Sequence, residues 1–314
     1  MKENIKFLLK LALTVCLAVA ILAVANKLYT SSASYTGVDT YSDIPEDIEF
    51  AAFGPSYAVS CFQYDDFESR GKRCFNFGLS AQTLNHDYAL YKTYKDNFDD
   101  NANVAIVVSY FSFCYNTEGK STPRYYSLLD KEYIKGYSFE TNFYTKYMPV
   151  YGHGDSLVRD LLIGKLSSVS SDKKGDGNTD KADKLAKDSK ERIIKTIKEN
   201  FIPYKDKTKE TEDMLIEWIK DLQSRGHKPV LVLTPYYKDY AFGFEQTELD
   251  ECFTNPLKRV IKETGVSYLN CNSDEYEYFI TNPDYFNNCD HVSKKGAEEF
   301  MKIYTKYLNE NGLF

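Results

Sequence analysis

A hydroxyl at the end of a buried strand is the first chemistry this sequence offers. Residues 48–56 read IEFAAFGPS, with five apolar residues in the first six and β-favouring Ile48 and Phe50 at the start. That pattern predicts a short buried strand running into a Gly54-Pro55-Ser56 turn. Ligands of open α/β sheets bind outside the carboxyl ends of the strands, and the turn sets Ser56 there. Two roles fit the position: a nucleophile, or the N-cap of the following helix. A nucleophilic serine needs a base, and histidine is the usual one near neutral pH. The chain holds four histidines. His227 follows Gly226, which ends a helix, and precedes a strand, so it belongs to the opposite sheet edge. His153 lies in an irregular middle region, and His86 falls inside a helix. His291, in Asn287-Asn288-Cys289-Asp290-His291-Val292-Ser293, comes after the last strand and just before the last helix, on the edge of Ser56.

The elements that position these residues follow from apolar periodicity. Cys74 to Ser80 reads as a second short strand ending at Gly78, and Leu84, Tyr88, Leu90, Tyr91 and Tyr94 recur at helical spacing through about Asn97. Asn103 to Phe113 is β-branched and apolar enough for a buried strand. Residues 128–207 interrupt the alternation: an apolar patch at 157–166, then a run at 167–190 rich in Ser, Lys, Asp and Gly. Such a composition predicts a solvated excursion with a mobile loop, one that covers the active edge or meets a partner in a less economical reading. Alternation returns with a helix over 211–225, a strand over 228–233 running into Thr234-Pro235-Tyr236-Tyr237, a helix over 248–264, a strand over 266–269 and a closing helix over 294–308. Strands alternating with helices predict an α/β fold, a three-layer sandwich around a parallel sheet. There is no internal repeat, P-loop or GxGxxG.

The amino terminus sets the expected topology. Lys2, Lys6 and Lys10 precede an apolar run from Leu11 to Ala25 broken only by Thr14. Counted from Phe7 with Lys10 snorkelling, it approaches the about 20 residues that span a bilayer. Positive charge ahead of the span keeps the start cytoplasmic, which puts the rest outside. A cleaved signal peptide is the competing reading, since Ala23-Val24-Ala25 has small-x-small spacing. The expected organisation is an anchor over 1–29, a stalk over 30–46 and an α/β domain over 47–314, single-pass in the cell membrane with that domain extracytoplasmic. Among seven cysteines, six lie beyond the anchor without CxxC or CxxH spacing; structural zinc is not expected, and a Cys61 to Cys74 bridge is conceivable. A net charge of −7 argues against nucleic acid as a partner. The 27 tyrosines suit sugar stacking as well as core filling.

Taken together, the GPS turn after the first strand, Asn76-Phe77-Gly78 after the second, TPYYKDY after a later strand and DHVSKKGAEEF at the last helix resemble the SGNH/GDSL hydrolase superfamily. The likeness is closer to its membrane-anchored branch, which includes the D-alanyl transfer protein of teichoic-acid modification and cell-envelope O-acyltransferases and esterases. It covers about 47–125 and 208–310 and implies a flavodoxin-like sandwich. It makes Ser56 the nucleophile and His291 the general base, with Ser56 and Gly78 N–H groups and Asn76 as oxyanion donors. Family members carry Asp three residues before the His, where this chain has Asn288; Asp290 is the nearby carboxylate, although an adjacent side chain seldom reaches its neighbour's Nδ1 from extended backbone. Either Asn288 or Asp290 then supports His291, and an Asn stabilises an imidazolium less than a carboxylate does. Thr234, Pro235 and Tyr236 would line the acceptor side, unless Pro235 marks a purely structural turn. The resemblance implies acyl transfer through acyl-Ser56 with no metal or organic cofactor, on an acylated cell-envelope polysaccharide or teichoic-acid-like polymer. A multi-span membrane acyltransferase is a further candidate partner. The alternative is a catalytically degenerate relative that binds glycan or such a membrane partner.

Overall fold

The structure is a computed structural model describing residues 2–30, 41, 43–115, 122–151, 158 and 181–314. His153, most of the expected stalk and residues 167–180 of the low-complexity run lie outside the described residues. The chain forms two compact units, residues 1–42 with 122–177 and residues 43–121 with 178–314.

The second unit is built on a five-stranded parallel sheet of order β2-β1-β3-β4-β5, with β1 at Ile48–Phe53, β2 at Cys74–Asn76, β3 at Phe98–Val108, β4 at Lys228–Leu233 and β5 at Ser267–Asn270. The α/β class expected from the alternation is therefore the observed one. Register is set by hydrophobic pairs, Ala51 against Val104 and Ile106 against Leu231 among them. The strand order reverses between β1 and β3, the point at which doubly wound sheets of this order open a crevice. Connections between parallel strands are right-handed as a rule, which for this strand order sends the β1–β2 connection over one face and the later ones over the other. On the first face, the Ser56–Cys61 helix packs against Lys294–Glu310, with Phe62 edge-on to Phe300 and Tyr304. On the second, Thr208–Ser224 packs against Leu84–Tyr94 and Asn255–Thr264. There Trp218, fully buried, meets Phe53 edge-on at 5.4 Å, and Phe53 stacks on Phe77 at 4.5 Å. Each such ring contributes about 1.5–3 kcal/mol by leaving water.

Three boundaries differ from the sequence expectation. β3 starts at Phe98 and stops at Val108, because the aromatic stretch beyond it is a turn: the Ser109 N–H donates to Ser112 Oγ at 2.8 Å and the Cys114 N–H to the Phe111 carbonyl at 3.0 Å. Part of the low-complexity run is ordered as the Lys181–Thr196 helix. A small antiparallel hairpin, β6 (Phe286–Asn288) with β7 (His291–Val292), precedes the last helix. All seven cysteines are free thiols. Cys61 and Cys74 are separate and buried, and burial pushes each up to about 12.

In the first unit, the Lys2–Thr30 helix includes a stretch, Asn4–Thr30, long and apolar enough to cross a membrane, and its most apolar 18-residue window has a mean hydropathy of 2.7. The same unit holds the Phe139–Tyr147 helix.

Candidate active site

Ser56 reaches the sheet edge through a tight exit from β1. Gly54 has φ +146°, and a Cβ there would lie 2.7 Å from Val107 Cβ, so only glycine lets β1 leave the sheet this close to β3. Pro55, at φ −71°, is the N-cap of the Ser56–Cys61 helix, and its carbonyl accepts the Ala58 N–H at 2.8 Å. The capping role open to Ser56 thus falls to another residue. Its hydroxyl points instead at His291, with Oγ 2.7 Å from Nε2.

The β6–β7 hairpin delivers the histidine. Asn288 pairs with His291 across it, and Cys289 and Asp290 form the turn. The turn is held from three sides: the Asp290 N–H donates to Asn288 Oδ1 at 3.1 Å, the Tyr237 N–H to the Cys289 carbonyl at 2.8 Å, and the Cys289 N–H to Asp188 Oδ2 at 2.9 Å. Ser293 then caps the last helix by accepting the Gly296 N–H. Gly296 is required because a Cβ there would sit 2.1 Å from the Tyr285 carbonyl oxygen.

Both candidate supports touch the imidazole. Asp290 Oδ1 lies 2.8 Å from His291 Nδ1, and Asn288 Oδ1 lies 3.2 Å away. The adjacent carboxylate reaches because its backbone is a tight turn and not extended strand. Asp290 is 3% exposed, and its second oxygen accepts the Tyr57 hydroxyl at 3.0 Å and faces Arg192 Nε at 3.6 Å. Burial alone would raise this carboxyl; His291, Arg192 and the Tyr57 hydroxyl together hold it below the ordinary carboxylate value. An ionised Asp290 keeps the proton on Nδ1, leaving Nε2 as the acceptor for the Ser56 hydroxyl. Burial, reinforced by Asp290, raises the Tyr57 phenol well above its usual value, so Tyr57 stays a donor. Its ring also lies 5.0 Å from that of His291.

Other predicted site residues sit differently. Asn76 donates its side-chain amide to the Ala58 and Phe62 carbonyls at 2.9 and 3.2 Å and accepts the Gly78 N–H at 2.9 Å. Of the three expected oxyanion donors, Asn76 is thus bonded to the Ser56 helix and Gly78 to Asn76. Thr234, Pro235 and Tyr236 are all buried. Their turn is clamped by Asn272, which accepts the Tyr236 N–H at 2.7 Å and donates to the Thr234 carbonyl at 2.8 Å. The Tyr236 ring lies against Tyr57 at 5.5 Å, so the turn underlies the site and presents no side chain to an acceptor. His227 is buried at the amino end of β4 beside Phe98, at the edge away from Ser56. His86 contacts Thr83 Oγ1 at 2.8 Å near the start of its helix.

Sequence reasoning missed Tyr57, Asp188 and Arg192. Tyr57 follows the serine directly. The other two lie on the Lys181–Thr196 helix, where Leu185, Ser189 and Thr196 are buried and Arg192 continues the same three-to-four-residue spacing. That stripe was the available signal.

No family profile matches this chain, and no curated protein matches its sequence. Solved structures with a similar fold include protein YxiM from Bacillus subtilis, at 8% identity and a TM-score of 0.43 over 85% of this chain; the chain spans 58% of that protein's length. A putative acylhydrolase from Bacteroides fragilis matches at 11% identity and a TM-score of 0.41, covering 88% of this chain and 95% of that one. The psychrotrophic esterase EstA from Pseudoalteromonas matches at 12% identity and a TM-score of 0.38, covering 84% and 100%.

Proposed function

We propose that this protein is an SGNH-type serine ester hydrolase or O-acyltransferase. The observation that carries the reading is the line from Ser56 Oγ to His291 Nε2 at 2.7 Å and from His291 Nδ1 to Asp290 at 2.8 Å. Such a line does nucleophilic acyl chemistry. His291 takes the Ser56 proton as Oγ attacks the ester carbonyl, and Asp290 stabilises the imidazolium that forms. The Ser56 N–H at the helix start donates to the developing oxyanion; the Gly78 N–H joins it by exchanging its bond to Asn76. The imidazolium then protonates the departing alcohol. Water or a sugar hydroxyl, deprotonated by His291, releases the acyl group from Ser56. These steps call for no cofactor.

The finer reading is a protein held in the cell membrane by its N-terminal helix, with the catalytic unit extracytoplasmic and an acylated cell-envelope polysaccharide or teichoic-acid-like polymer as substrate. The three lysines ahead of the apolar run support that orientation, and a multi-span membrane acyltransferase would be a natural acyl donor. The alternative of a non-catalytic binding protein drew on Asn288, and a carboxylate on Nδ1 leaves it without separate support. A fluorophosphonate probe tests the core of the proposal. The full-length protein should be labelled at Ser56, the Ser56→Ala and His291→Ala variants should not, and p-nitrophenyl acetate turnover should follow labelling. Wild type reacting no faster than Ser56→Ala would end the enzymatic reading.

A further inference from the structure

Asn26 closes the apolar run of the N-terminal helix and is bonded twice to one distant segment. Its side-chain amide donates to the Tyr147 carbonyl at 3.0 Å, and its Oδ1 accepts the Val150 N–H at 3.2 Å. These bonds pin the end of the Phe139–Tyr147 helix to the level at which the first helix turns from apolar to polar, at Asn26 and Lys27. The pinned helix carries an unusual surface. Phe139, Phe143 and Tyr147 recur every four residues and so share a face, and Tyr151 follows beyond the helix end. Their exposures are 75%, 43%, 58% and 58%. Phe143 and Tyr147 are in ring contact at 5.2 Å, as are Tyr144 and Tyr151 at 4.2 Å, making a strip of aromatic surface. Glu140 and Lys146 are exposed beside these rings, Lys146 Nζ lying 5.7 Å from the Tyr147 ring, and Thr141, Asn142 and Thr145 are half-buried.

We infer that this strip lies in the headgroup layer of the bilayer that holds the N-terminal helix, as a second membrane contact. The inference rests on the membrane-anchor part of the proposed function. Lipid is the occupant the geometry favours, because the Asn26 bonds fix the strip beside the end of the apolar run. Aromatic rings concentrate at that depth, and the charges of Glu140 and Lys146 on the same exposed face reach the polar headgroups there. A single span leaves the chain beyond it free to tilt relative to the membrane plane; a second contact at the interface restricts that tilt.

Tryptophan scanning of the full-length chain in phospholipid nanodiscs tests the inference, with emission above the Trp218 background as the readout. Phe139→Trp, Phe143→Trp and Tyr147→Trp should emit to the blue and be quenched more by lipids brominated near the headgroup than by lipids brominated near the chain end. Leu13→Trp, within the apolar run, should show the opposite preference. Adding Asn26→Ala to Phe143→Trp should weaken the shallow quenching; no change would overturn the part given to Asn26. Quenching of Leu13→Trp without quenching at 139, 143 and 147 overturns the strip and spares the anchor. Loss of quenching at Leu13→Trp overturns both.

Discussion

β1 and β3 lie side by side, and each hands a serine to the carboxyl edge of the sheet. Ser56 follows β1 by a Gly-Pro turn, and Ser109 follows β3 directly. The Ser109 hydroxyl is fully buried and meets another hydroxyl, Ser112 Oγ, at 3.0 Å. Ser56 meets an imidazole backed by a carboxylate. Strand topology thus supplies the location twice, and a hydroxyl–imidazole pair forms only where a distant hairpin supplies a base. The same rule separates His227 from His291, since the former ends at the amino edge beside Phe98 with its basicity lowered by burial.

Exchanging the two serines for alanine is the sharpest test of that contrast. Ser56→Ala, like His291→Ala, should lower kcat by roughly 10⁴-fold or more, whereas Ser109→Ala should leave turnover near wild type. An equal loss from Ser109→Ala would break the comparison. The support of the base comes next: Asp290→Asn should lower kcat by about 10⁴-fold, the effect of leaving an imidazole in the wrong tautomer. Asn288→Ala should cost far less, and the reverse ranking in steady-state kinetics would move the orienting role to Asn288. Removing the Tyr57 hydroxyl with Tyr57→Phe takes a hydrogen bond from a buried charge. Urea unfolding should report a loss of about 1.5–3 kcal/mol, and an unchanged midpoint would leave Tyr57 as packing alone.

The smallest effect is expected in the acid limb of stability. The Asp290 carboxyl is held below its ordinary value in the folded protein, so its stabilising effect is complete above the unfolded carboxylate value and is lost as pH falls through the lower folded one. Arg192→Met removes one of the groups that lower it. The folded value then rises toward the unfolded one, so the acid-side fall in Tm should be smaller than in wild type and should end at a higher pH. Superimposable Tm profiles would show that Arg192 does not act on Asp290.

The sheet was largely legible because its strands announce themselves chemically. PVLVL within β4 is a continuous apolar run, and β1 is nearly so. β3 was harder: Tyr110, Phe111 and Phe113 look like strand, and two serine hydroxyls turn them out of it. At the site, Ser56 and His291 could be placed from strand and helix order alone. The choice between Asp290 and Asn288 could not, since it depends on a two-residue turn that spacing does not reveal. Arg192 and Asp188 were hidden by averaging, because a window dominated by Lys, Asp and Ser reads as solvated even when every third or fourth residue packs inward.

The bond between Ser56 and His291 joins residues 235 apart in the chain. A polypeptide emerging amino end first therefore carries a serine hydroxyl without this base until the hairpin is made. The imidazole and its carboxylate enter only once residues 290 and 291 are made, when the hairpin docks and the following helix covers the Ser56 helix. Contacts this far apart form late because the loop between them must close first. Pairing of the hydroxyl with its base is thereby deferred until the hairpin has been made and has docked.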